Sequence, residues 1–268
     1  MTAEIIFIGT SSALIEPKRY HSSFIIMHDQ FRFLVDAGDG VSKALFASGI
    51  HFNFIDAILI THRHADHWSG LPLLLTQWKL KRRAAPLSVY AHRSDINHIK
   101  RFLHDSYLYK ERLPFKIEYI PITTGFSYTP ADGLAFTAFR NSHLDKFRKS
   151  AAAGDTGFFS GSFLFTTGGK KVYYTGDIGS EDDLYLCNEQ PDIYITECSH
   201  VSEKELSRLV KTIKPGMIIM THYSNEQLSE LIAVIDANPD CKMLLATEGM
   251  NVAIADKSIS LKENYYYV

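Results

Sequence analysis

The chain has 268 residues, of which 46% are hydrophobic and 22% charged, so its composition is that of a folded globular protein long enough to bury a sizeable core. The formal net charge of −2 excludes a broadly basic surface, and a nucleic-acid substrate would need a local basic patch. The three cysteines are widely spaced, which argues against a disulfide framework and favours a cytoplasmic protein.

The first half of the chain predicts alternating strands and helices. A Pro- and Gly-containing stretch at residues 121–125 marks the midpoint. The expected strands are Glu4–Ile8, Ser23–Met27, Phe31–Val35, Ala57–Ile60, Leu87–Ala91 and Phe115–Ile120. The expected helices are Val41–Ser48, Ser69 to about Arg82, and Ser94 to about His104.

The second half repeats this alternation, which favours an α/β sandwich with sheets inside and helices outside. We expect one domain, 1–268, built from pseudo-halves of about 1–125 and 126–268, with the tyrosines 265–267 packing as core or tail. The expected strands are Leu134–Phe139, Ser162–Thr166, Lys171–Thr175, Asp192–Thr196, Met217–Met220 and Lys242–Ala246. The expected helices run from Ser202 to Ile213 and from Asn225 to about Ala237.

Four side chains of metal-ligand type follow the buried strand that ends at Ile60. In an extended segment, residues two apart face the same way, so His62 and His64 can approach one ion together. The chain then turns, and Asp66 and His67 can face a second ion a few Å away. The alternative is a polar loop in which Asp66 caps a helix. The compact H-x-H-x-D-H spacing favours a divalent-metal site.

This string resembles the signature of the metallo-β-lactamase superfamily. The wider segment Ile60–Pro72 resembles the ribonuclease Z branch and its phosphodiesterase relatives, as do Gly9–Ser12, Arg19 with Ser22-Ser23, and Val35–Gly40. The resemblance implies a four-layer αβ/βα sandwich, in which two mixed β-sheets lie face to face with helices outside. It also implies a possible homodimer through Leu71–Leu80.

Three further candidate ligands follow predicted strands: His143, Asp177 and His222. Taken singly, a histidine is often structural and an Asp after Gly is often a turn residue. The resemblance implies that His62, His64 and His143 hold one ion, that Asp66, His67 and His222 hold the other, and that Asp177 bridges them. Two divalent ions are therefore expected; histidine-rich ligands suit zinc, with manganese or iron as alternatives.

The resemblance also implies catalytic roles for Asp66, Glu197 and His200. Two divalent ions activate water at neutral pH, and Asp66 would orient that water or accept its proton. His200-Val201-Ser202 resembles the motif that supplies the proton for the leaving alkoxide, and Glu197 resembles the acidic residue upstream of it. In the family a loop separates the two, whereas here they nearly touch, so an exposed His200 at a helix start is the alternative.

Two segments bear on the substrate. Only 33 residues separate His143 from Asp177, so Leu144–Ser160 is too short for the long tRNA-binding arm of ribonuclease Z. It could form a lid, a basic rim or an ordinary loop. The basic run Lys79–Arg83 could contact phosphates, or it is a solvated helix end favoured by the helix dipole.

The leading hypothesis is a dinuclear metal-dependent phosphodiesterase or nuclease that acts on a small molecule or on a nucleic-acid end. One alternative is a metallohydrolase for a lactone, thioester or sulfate ester, because activated water also attacks carbonyls. The other is a non-catalytic metal-binding protein. We find neither a signal-peptide pattern nor a run of about 18 apolar residues, so we expect no membrane association.

Overall fold

The computed structural model describes residues 2–51, 53–152, 157–255 and 258–262. The tyrosines 265–267 lie outside the described residues. The strands are β1 (Ala3–Gly9), β2 (Ser23–His28), β3 (Phe31–Val35), β4 (Ala57–Ile60), β5 (Leu87–His92), β6 (Ile117–Ile122), β7 (Ser127–Ala131), β8 (Leu134–Asn141), β9 (Ser160–Thr167), β10 (Lys170–Tyr174), β11 (Ile193–Glu197), β12 (Met217–Thr221), β13 (Met243–Leu245), β14 (Asn251–Ala255) and β15 (Ser258–Lys262).

The α-helices are α1 (Val41–Ala47), α2 (Ala65–Trp68), α3 (Leu71–Leu80), α4 (Ile96–Asp105), α5 (Glu203–Ile213) and α6 (Leu228–Asp236). Short 3₁₀ turns occupy Lys110–Arg112, Asp145–Ser150, Glu181–Tyr185 and Asn225–Gln227. Within the described ranges, none of these helices combines the length and the apolar character that a membrane span requires.

The strands form two mixed sheets. The first has the order β15-β14-β1-β2-β3-β4-β5-β6, and its β3–β6 part is parallel. The second has the order β13-β12-β11-β10-β9-β8-β7, and its β10–β13 part is parallel. Each parallel part ends at a loop edge, which is where open α/β sheets place their ligand sites.

Three apolar clusters make the sandwich four layers thick. The central cluster lies between the sheets and is rich in aromatic side chains such as Phe33, Phe136 and Phe165, all about 1% exposed or less. A second cluster packs α1, α3 and α4 on the first sheet, and a third packs α5 and α6 on the second. Each fully buried side chain of this size contributes roughly 1.5–3 kcal/mol. The predicted four-layer α/β sandwich is confirmed.

Several predicted boundaries are wrong. The helix expected from Ser69 to about Arg82 is shorter, since α3 spans Leu71–Leu80, and the separate one-turn helix α2 before it was not predicted. Gly70 lies between the two helices and packs against Gly38 so closely that a Cβ would lie 2.0 Å from the Gly38 oxygen. The strand expected at Phe115–Ile120 begins two residues later, and three strands (β7, β14 and β15) were not predicted. The sheets change between Ile122 and Ser127, but β14 and β15 return to the first sheet.

The basic run Lys79–Arg83 fits neither of its two interpretations completely, because one of its arginines is buried. Arg83 is fully buried, and its guanidinium donates to the carbonyls of Ile55, Ala85 and Pro86 at 2.6–2.9 Å. It also lies over the Trp78 ring at 4.8 Å. Arg83 therefore ties the helix end to the sheet, because a buried cation must satisfy its N–H groups within the protein.

Candidate active site

The loop after β4 is held by Asp36, which follows β3. The Asp36 carboxylate accepts from the Thr61 amide and the Thr61 hydroxyl, both at 2.8 Å. Its Oδ2 also lies 2.8 Å from His67 Nδ1. Because a carboxylate only accepts, the His67 proton is on Nδ1 and its Nε2 is directed to the cluster. Asp36 has no ligand role in the prediction, yet it positions the loop.

The first group of potential ligand atoms belongs to His62, His64, His143 and Asp177, and these atoms lie within 4.8 Å of one another. His64 Nδ1 is 3.0 Å from His143 Nε2, and Asp177 Oδ2 is 3.7 Å from His143 Nε2. His143 Nδ1 lies 3.0 Å from the Ile178 carbonyl, to which it donates. The remaining nitrogen of His143 therefore faces the cluster.

The second group belongs to Asp66, His67, Asp177 and His222, again within 4.8 Å. His222 Nε2 lies 3.1 Å from Asp66 Oδ2 and 3.3 Å from His67 Nε2. Asp177 approaches both imidazoles, at 3.3 Å from His67 and 3.5 Å from His222. Asp177 belongs to both groups, so the structure brings together all seven residues that the sequence singles out.

The donor set fits divalent cations. Two buried polar atoms that face the cluster have no hydrogen-bond partner: His62 Nε2 and Asp177 Oδ1. Buried polar atoms are normally satisfied, so such a concentration is costly unless a ligand completes it. Imidazole nitrogens with carboxylate oxygens are donors of the kind that zinc and similar ions take.

Burial and neighbouring charges shift the pKa values of the clustered imidazoles in opposite directions. Burial, followed by the charge of His67, holds the pKa of His62 well below its usual value. Burial and the charge of His143 lower the pKa of His64 to about 4. Burial also opposes protonation of His222, but the charge of Asp177 and the hydrogen bonds to Asp66 and Glu197 together outweigh it and raise the pKa to about 10. A bound cation would replace the proton that His222 carries.

Glu197 and His200 lie beside the cluster. Glu197 ends β11 and is fully buried; its Oε1 is 2.9 Å from His200 Nδ1, and its Oε2 accepts from the His200 amide at 3.0 Å. This hydrogen bond raises the pKa of the His200 imidazole. The His200 ring centroid is 4.9 Å from that of His143. Because Glu197 and His200 are only three residues apart, these two hydrogen bonds close a single turn of the chain.

A cavity of about 450 Å³ opens over the cluster. Its lining includes His64, Asp66, Asp177 and His200, and Lys146 stands at its wall. Another cavity, of about 660 Å³, lies between α1 and α3, but none of the seven clustered residues lines it. The chemistry therefore belongs to the smaller cavity.

Asp183 is a supporting residue that the sequence analysis missed. Its carboxylate accepts from the Ser142 amide and hydroxyl and from the Gly179 amide, at 2.7–3.1 Å. It thereby joins the loop that carries His143 to the loop that carries Asp177. The signal was present, because Ser180 and Asp183 have the spacing of a capping box.

Known proteins share this fold. The metallo-β-lactamase fold protein YhfI from Bacillus subtilis superposes with a TM-score of 0.73 at 19% identity, covering 94% of this chain and all of that one. The short form of human tRNase Z gives 0.70 at 21% identity, covering 92% and 98%. A ribonuclease Z from Bradyrhizobium sp. (strain ORS 278) is 27% identical over 85% of this chain and 92% of its own length.

The fold is the metallo-β-lactamase fold, the chain is similar to ribonuclease Z, and the cluster offers ligands of the kind that divalent metal ions take. A narrower assignment follows from the sequence. Residues 3–239 match the family described as Anti-Pycsar protein Apyc1, and the chain belongs to that family.

Proposed function

We propose that the chain hydrolyses phosphodiesters with two divalent cations, most simply zinc, held by the two groups that share Asp177. The observation that carries this proposal is the sharing itself, because one buried carboxylate contacts histidines of both groups. Bound divalent cations supply a water of lowered pKa, from 15.7 towards about 7, and stabilise developing negative charge. His62, His64 and His143 would hold one cation, and Asp66, His67 and His222 the other.

The protein's own groups would handle the protons. Asp66 is 8% exposed at the cavity floor and bonded to His222, so it would orient the attacking water. His200 would donate a proton to the leaving oxygen, because Glu197 occupies its Nδ1 and leaves Nε2 for the substrate. Glu197 also raises the pKa of His200, which keeps the donor protonated at higher pH.

The scale of the site favours a small diester or the end of a nucleic acid. The cavity of about 450 Å³ has the size of a small-molecule pocket. Between His143 and Asp177 the chain has 33 residues, of which β9 and β10 take thirteen, and this short span supports the inference that the long tRNA-binding arm of ribonuclease Z is absent. Relatives named ribonuclease Z and tRNase Z support phosphodiester chemistry on RNA.

The test is metal analysis combined with a substrate panel. The purified protein is stripped with a chelator and reloaded with Zn²⁺ or Mn²⁺. It is then assayed on bis-p-nitrophenyl phosphate, 2′,3′-cyclic nucleotides, pre-tRNA, a lactone and a thioester. We expect two metal equivalents and turnover of phosphodiesters, abolished in Asp177→Asn. Turnover confined to the lactone or thioester would favour another ester class, and metal binding without any turnover would favour a non-catalytic protein.

We also propose a homodimer through α3 and its neighbour α1. Three large apolar side chains are exposed there: Phe46 at 81%, Leu80 at 69% and Leu73 at 52%. Contiguous exposed apolar patches mark protein interaction sites. Light scattering after gel filtration should give twice the mass of 30.3 kDa, and Leu80→Glu should give the monomer.

A further inference from the structure

A side cavity of about 400 Å³ adjoins the metal-site cavity, and His64 lines both. Its other walls include Arg63, Leu144, Phe147, Gly157 and Phe158. None of these five residues is used in the mechanism above. The cavity has the volume of a small ligand site, and its connection through His64 places it one side chain away from the candidate reaction centre.

Phe147 gives this cavity an aromatic wall. It lies in the turn Asp145–Ser150 and is 42% exposed, although large aromatic side chains are usually buried. Its ring meets the His64 imidazole edge-on, with centroids 5.5 Å apart and planes at 90°. Phe158 supplies a second ring in the same cavity, beneath the Arg148 guanidinium at 5.4 Å.

The floor of the side cavity is fixed rather than loosely packed. Arg63 donates from Nε to Asp95 Oδ1 at 2.8 Å and from Nη2 to the Gly157 carbonyl at 3.0 Å. Gly157 has a φ of +92°, and a Cβ there would lie 2.7 Å from Arg63 Nη2. Arg63 therefore joins the loop of His62 and His64 to the segment that carries Phe158.

The proton donor and the side cavity adjoin different parts of the cluster. His200 and His64 each contact His143, with ring centroids at 4.9 Å and 4.8 Å, and of these two residues only His64 lines the side cavity. A leaving oxygen that takes its proton from His200 would lie in line with the attacking water, so the substituent retained on phosphorus would project sideways from that line. The side cavity beside His64 would be open to that substituent.

We propose that the side cavity is a subsite for a flat aromatic group on the retained substituent of the diester, and that Phe147 determines this specificity. The proposal rests on the phosphodiesterase function proposed above. A ring entering the cavity would stack on the exposed part of Phe147. Such contacts prefer offset or edge-on geometry and contribute beyond the area they bury.

The test uses diesters with the same p-nitrophenolate leaving group and different retained groups: methyl, phenyl or thymidine 5′-yl. Wild-type protein should prefer phenyl and thymidine over methyl in kcat/KM. Phe147→Ala should remove roughly 5- to 150-fold of that preference, the range that base stacking on aromatic side chains spans, mainly by raising KM. Phe147→Tyr should restore the preference, whereas Phe147→Leu should not.

Phe126→Ala is the matched control, because Phe126 is 64% exposed and lies outside both cavities. Gly157→Ala should displace Arg63 at the floor of the side cavity while both aromatic rings remain, so it should also raise KM for the phenyl diester. Metal content and the melting temperature are measured for every variant. An equal loss for the methyl and phenyl diesters in Phe147→Ala would make Phe147 a support for His64 and overturn the proposal.

A binding measurement separates this subsite from the proposed function. Calorimetric titration of the zinc-loaded protein should show tighter binding of diphenyl phosphate than of dimethyl phosphate, and Phe147→Ala should weaken only the former. If this holds while no diester is turned over, the subsite stands and the phosphodiesterase proposal fails. Equal binding of the two phosphates would overturn the subsite. Preference for phenyl without thymidine would restrict it to simple aryl groups.

Discussion

The two halves of the chain contribute to the cluster in different ways. The N-terminal half supplies His62, His64, Asp66 and His67 from one loop that Asp36 holds. The C-terminal half supplies one residue from the end of each of three strands, namely His143 after β8, Asp177 after β10 and His222 after β12. The first contribution is local, whereas the second exists only when the second sheet is correctly assembled.

Polar side chains join two of these strand ends, those of β8 and β10, to the neighbouring strands β9 and β11. Asn141 donates to the Ser162 hydroxyl and the Thr175 carbonyl, and Ser162 donates to the same carbonyl at 2.6 Å. Thr175 in turn accepts from the Glu197 amide. A shift of one residue in strand register would turn each side chain to the opposite face of the sheet. A site built from several strand ends therefore depends on hydrogen bonds that fix this register.

Asp177 gives the strongest test of the difference between the two halves, because it belongs to both groups of metal-ligand residues. Asp177→Asn should lower kcat by on the order of 10³-fold or more and reduce bound metal towards zero, because metal chemistry contributes several kcal/mol. His64→Ala, in the N-terminal loop, should lose metal from one group only. Elemental analysis of both variants measures this difference. Equal metal loss in the two variants would remove the special role of Asp177.

His200 tests whether the C-terminal half also supplies proton transfer. His200→Ala should lower kcat by about 10²-fold, the usual range for a general acid, because the leaving oxygen loses its proton donor. Metal content should stay at the wild-type value, which elemental analysis checks alongside kcat. Loss of metal together with activity would instead make His200 part of the metal-holding machinery.

The supporting carboxylates sharpen the same comparison. Asp36→Asn and Asp183→Asn should each weaken metal affinity by about 10- to 100-fold, as is typical when the partners of ligands are altered. The first acts on His67 and the second on the loops of His143 and Asp177. Competition with a chelating dye measures both affinities. Unchanged affinity in Asp183→Asn would mean that the strand ends need no such support.

The smallest expected effect is a shift in pH dependence. A proton on His200 is favoured by the Glu197 hydrogen bond, which raises the pKa of the imidazole. Neutral glutamine removes that charge, so Glu197→Gln should lower the pKa and move the alkaline limb of the kcat profile to lower pH. The profile of wild-type and variant, measured at saturating metal, gives the direction. A shift to higher pH would contradict the proposed pairing.

The sequence could predict the local parts of this molecule better than the distant ones. The spacing of His62, His64, Asp66 and His67 carries its own geometry, because neighbouring residues on one loop cannot lie far apart. The pairing of β1 with β14 has no such signal, since Ala3 faces Ile254 across the sheet. Nor could a charge pattern reveal that Arg83 is buried, because its acceptor at Ile55 lies on another element.

The pairing of β1 with β14 affects how the polypeptide folds during synthesis. β1 lies between β2 and β14, so until residues 251–255 leave the ribosome it presents an unpaired backbone edge. An open apolar edge is a template for unwanted association with other chains. A nascent or truncated product that stops before Asn251 would therefore carry every member of the histidine–aspartate cluster and still be prone to aggregate.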